Sequence, residues 1–298
     1  MTTLRVALAQ YPIDRFADFE AYAAKLAQWI ADAAARGAQL VVFPEYGAME
    51  LTSLCGDAAA DLTASIVALQ ELLPRVDALH GELARAHGIH VVAASAPFRR
   101  DDGRFVNVAR LFAPSGAVGR QEKRVMTRFE RESWHIAPGR GLRLFDTALG
   151  RIGIAICYDC EFPLLVRALA VAGADVILVP SCTDTLAGFH RVRTSALARA
   201  LENQCYVATA PTVGEARWSP AVDVNVGAAG AFAPSDRFMP DDGIVIEGAL
   251  NIPCLVCADL DLALLERVRS EGQVLNHRHW DEQPGRAMLE AVEKVSLR

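Results

Sequence analysis

Apolar and polar positions alternate along this chain in two periods, one of strands and one of helices. Leu4 to Gln10 reads as a strand. From Phe16 to Arg36 the apolar residues Phe19, Ala23, Leu26 and Ile30 fall on one helix face, and Gly37 ends the run. Gln39-Leu-Val-Val-Phe43 is again a strand and closes on Pro44-Glu45-Tyr46, so this β-α-β unit delivers a glutamate at the carboxyl end of its second strand. The same order returns later. Ile152, Ile154 and Ile156 form a short β-branched run that stops at Cys157 and turns through Tyr158-Asp159. It restarts as a helix opened by Pro163 and running to Ala172. Gly173-Ala-Asp-Val-Ile-Leu-Val-Pro180-Ser181 then matches Gly37-Ala-Gln-Leu-Val-Val-Phe-Pro44-Glu45 almost position for position. The pattern describes two related halves of one domain. Parallel strands place their carboxyl ends on one sheet edge, so Glu45, Cys157 and Ser181 are expected to converge on one cleft.

Between the halves, Leu62 to Ala86 reads as helix with a break near Pro74, and Ile89 to Ala94 as strand. Val106 to Ala113 is a strand, and Pro114-Ser115-Gly116 turns it into another beginning at Val118. Residues 122–139 mix charge and aromatics without helix or strand period, as a loop laid over a site would. His190 to Asn203 reads as helix. Strands follow at Cys205 to Ala210, Val226 to Phe232, Ile244 to Glu247 and Leu255 to Asp259, then a short helix from Leu262 to Arg269. These define one domain over residues 1–270 and a charged tail, 271–298, expected to pack at a subunit interface.

With 298 residues, 52% of them hydrophobic, the chain can bury a large core. A net charge of −6 with no basic run argues against nucleic acid or an anionic membrane as partner. No apolar run has the length of a membrane span, and Met-Thr-Thr-Leu-Arg leads directly into a strand rather than a signal peptide. Seven scattered cysteines then point to reduced thiols in a cytoplasmic enzyme. Cys157-x-x-Cys160 and Cys254-x-x-Cys257 have zinc-ribbon spacing, but residues i and i+3 of a strand face opposite ways, so the second pair cannot share a metal. No metal or cofactor is expected.

A thiol at the end of a buried strand, in a sharp turn before a helix, stands where a nucleophile is useful, with turn amides at hand to lower its pKa. A buried structural cysteine is the commoner fate of such a residue, and local context leaves both readings open.

Several motifs in order carry a resemblance: Phe-Pro-Glu45; Lys123 in a loop closing on Ile-Ala-Pro-Gly139; Ile-Cys157-Tyr-Asp-x-x-Phe-Pro163; Val-Pro-Ser181; and Ala-Arg-Ala-Leu-Glu-Asn-Gln204-Cys-Tyr-Val. From Leu4 to Asp261 the chain resembles the nitrilase, or carbon–nitrogen hydrolase, superfamily. The resemblance implies an α/β fold, a four-layer α-β-β-α sandwich, and a homodimer or larger assembly formed through helices on one outer face. It implies hydrolysis of a non-peptide carbon–nitrogen bond in a small amide through a cysteine thioester, with Glu45 as general base, Lys123 stabilising the tetrahedral intermediate and Cys157 as nucleophile. A second glutamate often stands a few residues before the Pro-Gly, and Glu132 fits that spacing better than Glu130. Cys157-Tyr158-Asp159, where true nitrilases resemble Cys-Trp-Glu, favours amides over nitriles. Glu161 stands where many amidase-type members have Arg. With the sequences around Glu130 and Asp184, this looks most like a branch sometimes fused to an acetyltransferase domain, of which no counterpart is expected here. A carbamoyl-amine hydrolase, a thioester-based acyltransferase and a catalytically silent scaffold are the competing readings. His190, Arg191 and Arg193 follow the Ser181 loop, and one of them is expected to line the pocket and meet a substrate carboxylate. His277 and His279 are read as surface residues.

Overall fold

The computed structural model describes residues 3–283 and 291–297. Its first half contains β1 (Thr3–Pro12), α1 (Phe19–Ala35), β2 (Leu40–Val42), α2 (Leu62–Leu69), α3 (Leu73–His87), β3 (His90–Arg99), β4 (Phe105–Phe112) and β5 (Val118–Glu122). A short α4 (Arg128–Glu132) leads into β6 (Leu142–Thr147), β7 (Gly150–Ile154), α5 (Pro163–Ala172), β8 (Val176–Ser181), α6 (Leu186–Asn203) and β9 (Tyr206–Glu215). Then come β10 (Val224–Asn225), β11 (Gly230–Phe232), β12 (Ile244–Glu247), β13 (Cys254–Asp261), α7 (Leu262–Glu271), α8 (Asn276–His279) and β14 (Val292–Ser296).

The strands run β13-β1-β2-β3-β4-β5 in one half and β14-β6-β7-β8-β9-β11-β12 in the other. The halves meet where Tyr11 and Pro12 at the end of β1 pair with Thr212 and Val213 of β9. Period-2 alternation sorts the first half. Val6, Leu8, Leu40, Val42 and Val92 join the core shared with the second half, whereas Ala7, Ala9, Val41, Val91 and Ala93 pack outward with α1 and α3. Leu26 and Ile30 of α1 and Val76 of α3 cover that outer face, while Val166 and Leu169 of α5 and Val192, Ala196 and Ala200 of α6 pack on the second half. The result is the four-layer α-β-β-α sandwich that the resemblance implied.

The two β-α-β units are present as parallel pairs, β1 with β2 and β7 with β8. The break expected near Pro74 separates α2 from α3, with Pro74 in the first turn of α3, where a missing N–H costs nothing. Two expectations are corrected. Residues 122–139 are not wholly irregular, because Thr127 and Glu130 cap a helical turn reciprocally and so build α4. Part of the charged tail belongs to the chain's own sheet: β14 pairs in parallel with β6, Val292 opposite Leu142. Residues 284–290 of that tail lie outside the described residues. On the outer helices, Leu164 and Val171 of α5 and Leu186 and Leu201 of α6 are exposed.

Candidate active site

The strand ends determine what gathers at this edge of the sandwich. The chain leaving β2 is gripped by β3: Ser95 donates its N–H to the Pro44 carbonyl (3.0 Å), and its Oγ accepts the Tyr46 N–H (3.0 Å). Glu45 lies between these two bonds and is 1% exposed. Lys123 directly follows β5. Its N–H donates to the Asn107 carbonyl of β4 (2.9 Å), and its carbonyl accepts the Gly139 N–H (2.7 Å). A Cβ on Gly139 would stand 2.5 Å from that carbonyl oxygen, which is the physical reason for a glycine in the Pro-Gly turn. Beyond β7, the Ala155 N–H continues the ladder to the Leu178 carbonyl, and the chain then turns at Cys157 with φ +48°. A left-handed conformation in a residue with a Cβ is strained, and such strain concentrates at functional turns. It opens the 3-10 helix Cys157–Glu161, and the Sγ donates to the Cys182 carbonyl at 3.7 Å.

These segments bring Glu45, Lys123 and Cys157 together. The Lys123 ammonium donates to Glu45 Oε1 (2.7 Å) and to Glu130 Oε2 (2.7 Å). Asn107 Nδ2 donates to the same Glu45 Oε1 (2.9 Å), and the Cys157 thiol lies near enough to the Glu45 carboxyl to feel its charge. Glu130 is held by further donors: the Tyr46 hydroxyl (2.6 Å), the Thr127 N–H (2.8 Å) and the Thr127 hydroxyl (2.8 Å).

The expectation for Glu132 is corrected by this geometry. Glu132 is on the solvent side of α4, its carboxylate 56% exposed and paired with Arg128 at 2.8 Å. Glu130 takes the inner position beside Lys123, at 2% exposure. Two residues along a helix are about 200° apart around its axis, so only one of the two can face inward. The capping box selects Glu130, which a count back from Pro-Gly cannot see. We expect Glu130→Gln to slow turnover about a hundredfold, the scale of a misplaced catalytic group. Glu132→Gln, on an exposed pair, should leave turnover and melting temperature essentially unchanged. Assaying both variants side by side checks the assignment; equal effects would refute it.

Burial sets the proton positions. It pushes the Glu45 carboxyl up to about 7, against the pull of Lys123 and with a further push from Glu130. Burial also raises the Cys157 thiol well above its ordinary value, and the Glu45 charge adds to this more than Lys123 relieves it. The expectation that turn amides lower the thiol pKa is therefore corrected: burial and the Glu45 charge keep the resting sulfur a thiol. Burial works against the charge on Lys123, but Glu130 and Glu45 outweigh it and hold the ammonium well above its usual range. For Glu130, burial is outweighed by Lys123, Tyr46 and the Thr127 amide, which keep the carboxyl below its usual value.

A cavity of about 380 Å³ opens onto this cluster, the size of a small-molecule site. Tyr46, Phe129 and Trp134 are its aromatic lining, and Arg128, Glu161 and Asp184 line it as well. Of the three basic candidates after Ser181, Arg191 lines it and pairs with Glu161 at 3.4 Å. Arg193 is instead bound to Glu247, and His190 lies against Phe189. Ser181 ends β8 but is buried, and Cys182 and Thr183 reach the cavity in its place. Asn107 and Tyr46 were not recognised from sequence. An asparagine inside the apolar run Phe-Val-Asn-Val-Ala was a usable signal, because a buried amide needs a partner. Cys254 and Cys257 lie on β13 as read, and no group of metal-binding side chains is found among the described residues. No helix among them is long and apolar enough to cross a membrane.

The structure is thus a two-sheet sandwich that gathers a buried glutamate, lysine and cysteine at one edge. Residues 5–269 match the family model for carbon–nitrogen hydrolases, and the chain belongs to that family, within the nitrilase superfamily. It is 35% identical over 271 residues to a probable hydrolase, YhcX, of Bacillus subtilis, an alignment that takes in 91% of this chain. The chain spans about half (52%) of that relative's length. It is 28% identical to omega-amidase NIT2-B of Xenopus laevis, covering 85% of this chain and 88% of the relative. Among solved structures, a glutamate-to-glutamine variant of the amidase from Nesterenkonia sp. AN1 superimposes with a TM-score of 0.66 at 25% identity, covering 93% of this chain and 99% of the other. That amidase carries the product of Michael addition of acrylamide at its active-site cysteine.

Proposed function

We propose that this protein hydrolyses a small amide through a thioester on Cys157. The observation that carries the reading is the division of labour on Glu45. Its Oε1 accepts from Lys123 and Asn107, which leaves Oε2 as the oxygen that would take the proton of the neighbouring thiol. An amide carbonyl is a poor electrophile, so attack needs a strong nucleophile together with a donor for the developing oxyanion. In the first step the thiol proton moves to Glu45 as Sγ bonds to the carbonyl carbon. Lys123 has three donors and uses two on carboxylates; the third, with the Tyr158 N–H in the first turn of the 3-10 helix, receives the oxyanion. The intermediate collapses with cleavage of the C–N bond, and protonated Glu45 returns its proton to the leaving nitrogen. Water then enters, gives a proton to Glu45 and attacks the thioester; cleavage of the C–S bond returns that proton to sulfur and frees the acid.

The similarity to omega-amidase and amidase relatives supports amide hydrolysis, and the choice of an amide over a nitrile rests on Cys157-Tyr158-Asp159. The test is ammonia release from a panel of small amides across pH. Glu45 must be ionised to act, and its carboxyl is pushed up to about 7, so kcat/KM should rise with pH through about 7 and level off above it. A profile flat through neutrality with intact activity would refute Glu45 as the base.

A further inference from the structure

Asp159 is 1% exposed, two residues beyond Cys157, and is not among the residues lining the cavity. Its carboxylate is used on backbone. Oδ1 accepts the Val125 N–H at 2.8 Å and the Arg124 N–H at 3.1 Å, and Oδ2 accepts the Arg124 N–H at 3.1 Å. Arg124 and Val125 are the two residues directly after Lys123. The Asp159 backbone belongs to the nucleophile turn: its N–H donates to the Ile156 carbonyl (3.0 Å), and its carbonyl accepts the Phe162 N–H (3.1 Å).

Lys123 leaves β5 in one half of the sandwich and Cys157 follows β7 in the other. Lys123 is bonded through its backbone to β4 and to the Pro-Gly turn, and neither bond refers to the nucleophile. The Asp159 carboxylate spans the gap. Burying a carboxylate is costly, and here burial pushes it up to about 6 while Lys123 and the two amides pull it back. An apolar side chain would be the cheaper way to fill a buried turn. The arrangement makes sense if it fixes the distance between two groups that must act on one carbonyl.

We propose that Asp159 is a positioning residue that clasps the Lys123 segment to the Cys157 turn, setting the ammonium at the place where the oxyanion forms. This rests on the proposed function, in which the two groups act together. The test uses iodoacetamide, itself a small amide, with mass-spectrometric mapping of each cysteine. Asp159→Ala removes all three bonds and should slow labelling of Cys157 about a hundredfold, the usual consequence of misplacing a reacting group by about 1 Å. Cys254, on β13 and away from the site, should label at an unchanged rate and serves as the internal control. Asp159→Asn keeps an Oδ1 that can accept both amides, and should restore labelling to within about threefold of wild type. If Asp159→Ala does not fold, Val125→Pro deletes the donor of the 2.8 Å bond from the other side and should also slow Cys157 selectively.

The failures are distinguishable. If wild-type Cys157 labels no faster than the other thiols, the proposed function itself falls. If wild-type Cys157 is fast and folded Asp159→Ala or Val125→Pro is equally fast, only the clasp falls. It also falls if Asp159→Asn is as slow as Asp159→Ala, because charge rather than acceptor geometry would then be responsible.

Discussion

Lys123→Met is expected to abolish amide hydrolysis and to destabilise the fold by about 3–5 kcal/mol, the cost of stripping one partner from a buried ion pair. Lys123 is 1% exposed and lies between Glu45 and Glu130, also buried, so its removal leaves two carboxylates facing each other without a cation. Methionine preserves most of the volume, so the loss is electrostatic rather than a cavity. The pH dependence carries a definite sign. Without Lys123 both carboxyls take up protons more readily in the folded state than in the unfolded chain. Folding then binds protons, and the deficit shrinks as pH falls toward the ordinary carboxylate range. Denaturant melts of variant and wild type at neutral and mildly acid pH check this. A variant with the wild-type midpoint at neutral pH would show that the cation does not hold the cluster together.

Cys157→Ala is expected to separate rate from stability. If Cys157 is the nucleophile proposed above, its removal from a group of residues that act as a unit costs on the order of 10⁶ in turnover, so hydrolysis should fall to background. The fold should stay within about 1 kcal/mol of wild type, because alanine bears the same φ +48° strain and leaves the Glu45–Lys123–Glu130 bonds intact. The Lys123 variant loses both properties and the Cys157 variant only one. Residual turnover well above background in Cys157→Ala would mean that water, not sulfur, attacks the amide.

Much of the fold was legible because the first half obeys simple periods. Alternation in β1 divides Val6 and Leu8 from Ala7 and Ala9, and the α1 stripe ends at a glycine. The paired endings at Pro44-Glu45 and Pro180-Ser181 marked the edge where ligands bind, although Ser181 turned out buried and its neighbours face the cavity. The inner glutamate was harder. Spacing from Pro-Gly counts residues along the chain, whereas the Thr127 cap fixes which way α4 points. The thiol's proton was misjudged for a related reason: turn amides are visible in sequence, but the burial that outweighs them is a property of the assembled sandwich. Asp159 stood in view as part of Tyr158-Asp159, yet its role depends on a contact with residues 34 and 35 positions earlier in the chain. No local pattern carries that information.

Competitive labelling of the seven cysteines of the native protein tests the central claim most directly. Iodoacetamide is added over a range of pH, and each thiol is followed by peptide mass. Cys157 should react far ahead of the other six, at a rate that climbs with pH through about 7 as Glu45 ionises to accept its proton. Labelling of Cys157 no faster than its neighbours, with the cavity open, would mean that the thiol beside Glu45 is not activated and that the hydrolytic reading is wrong.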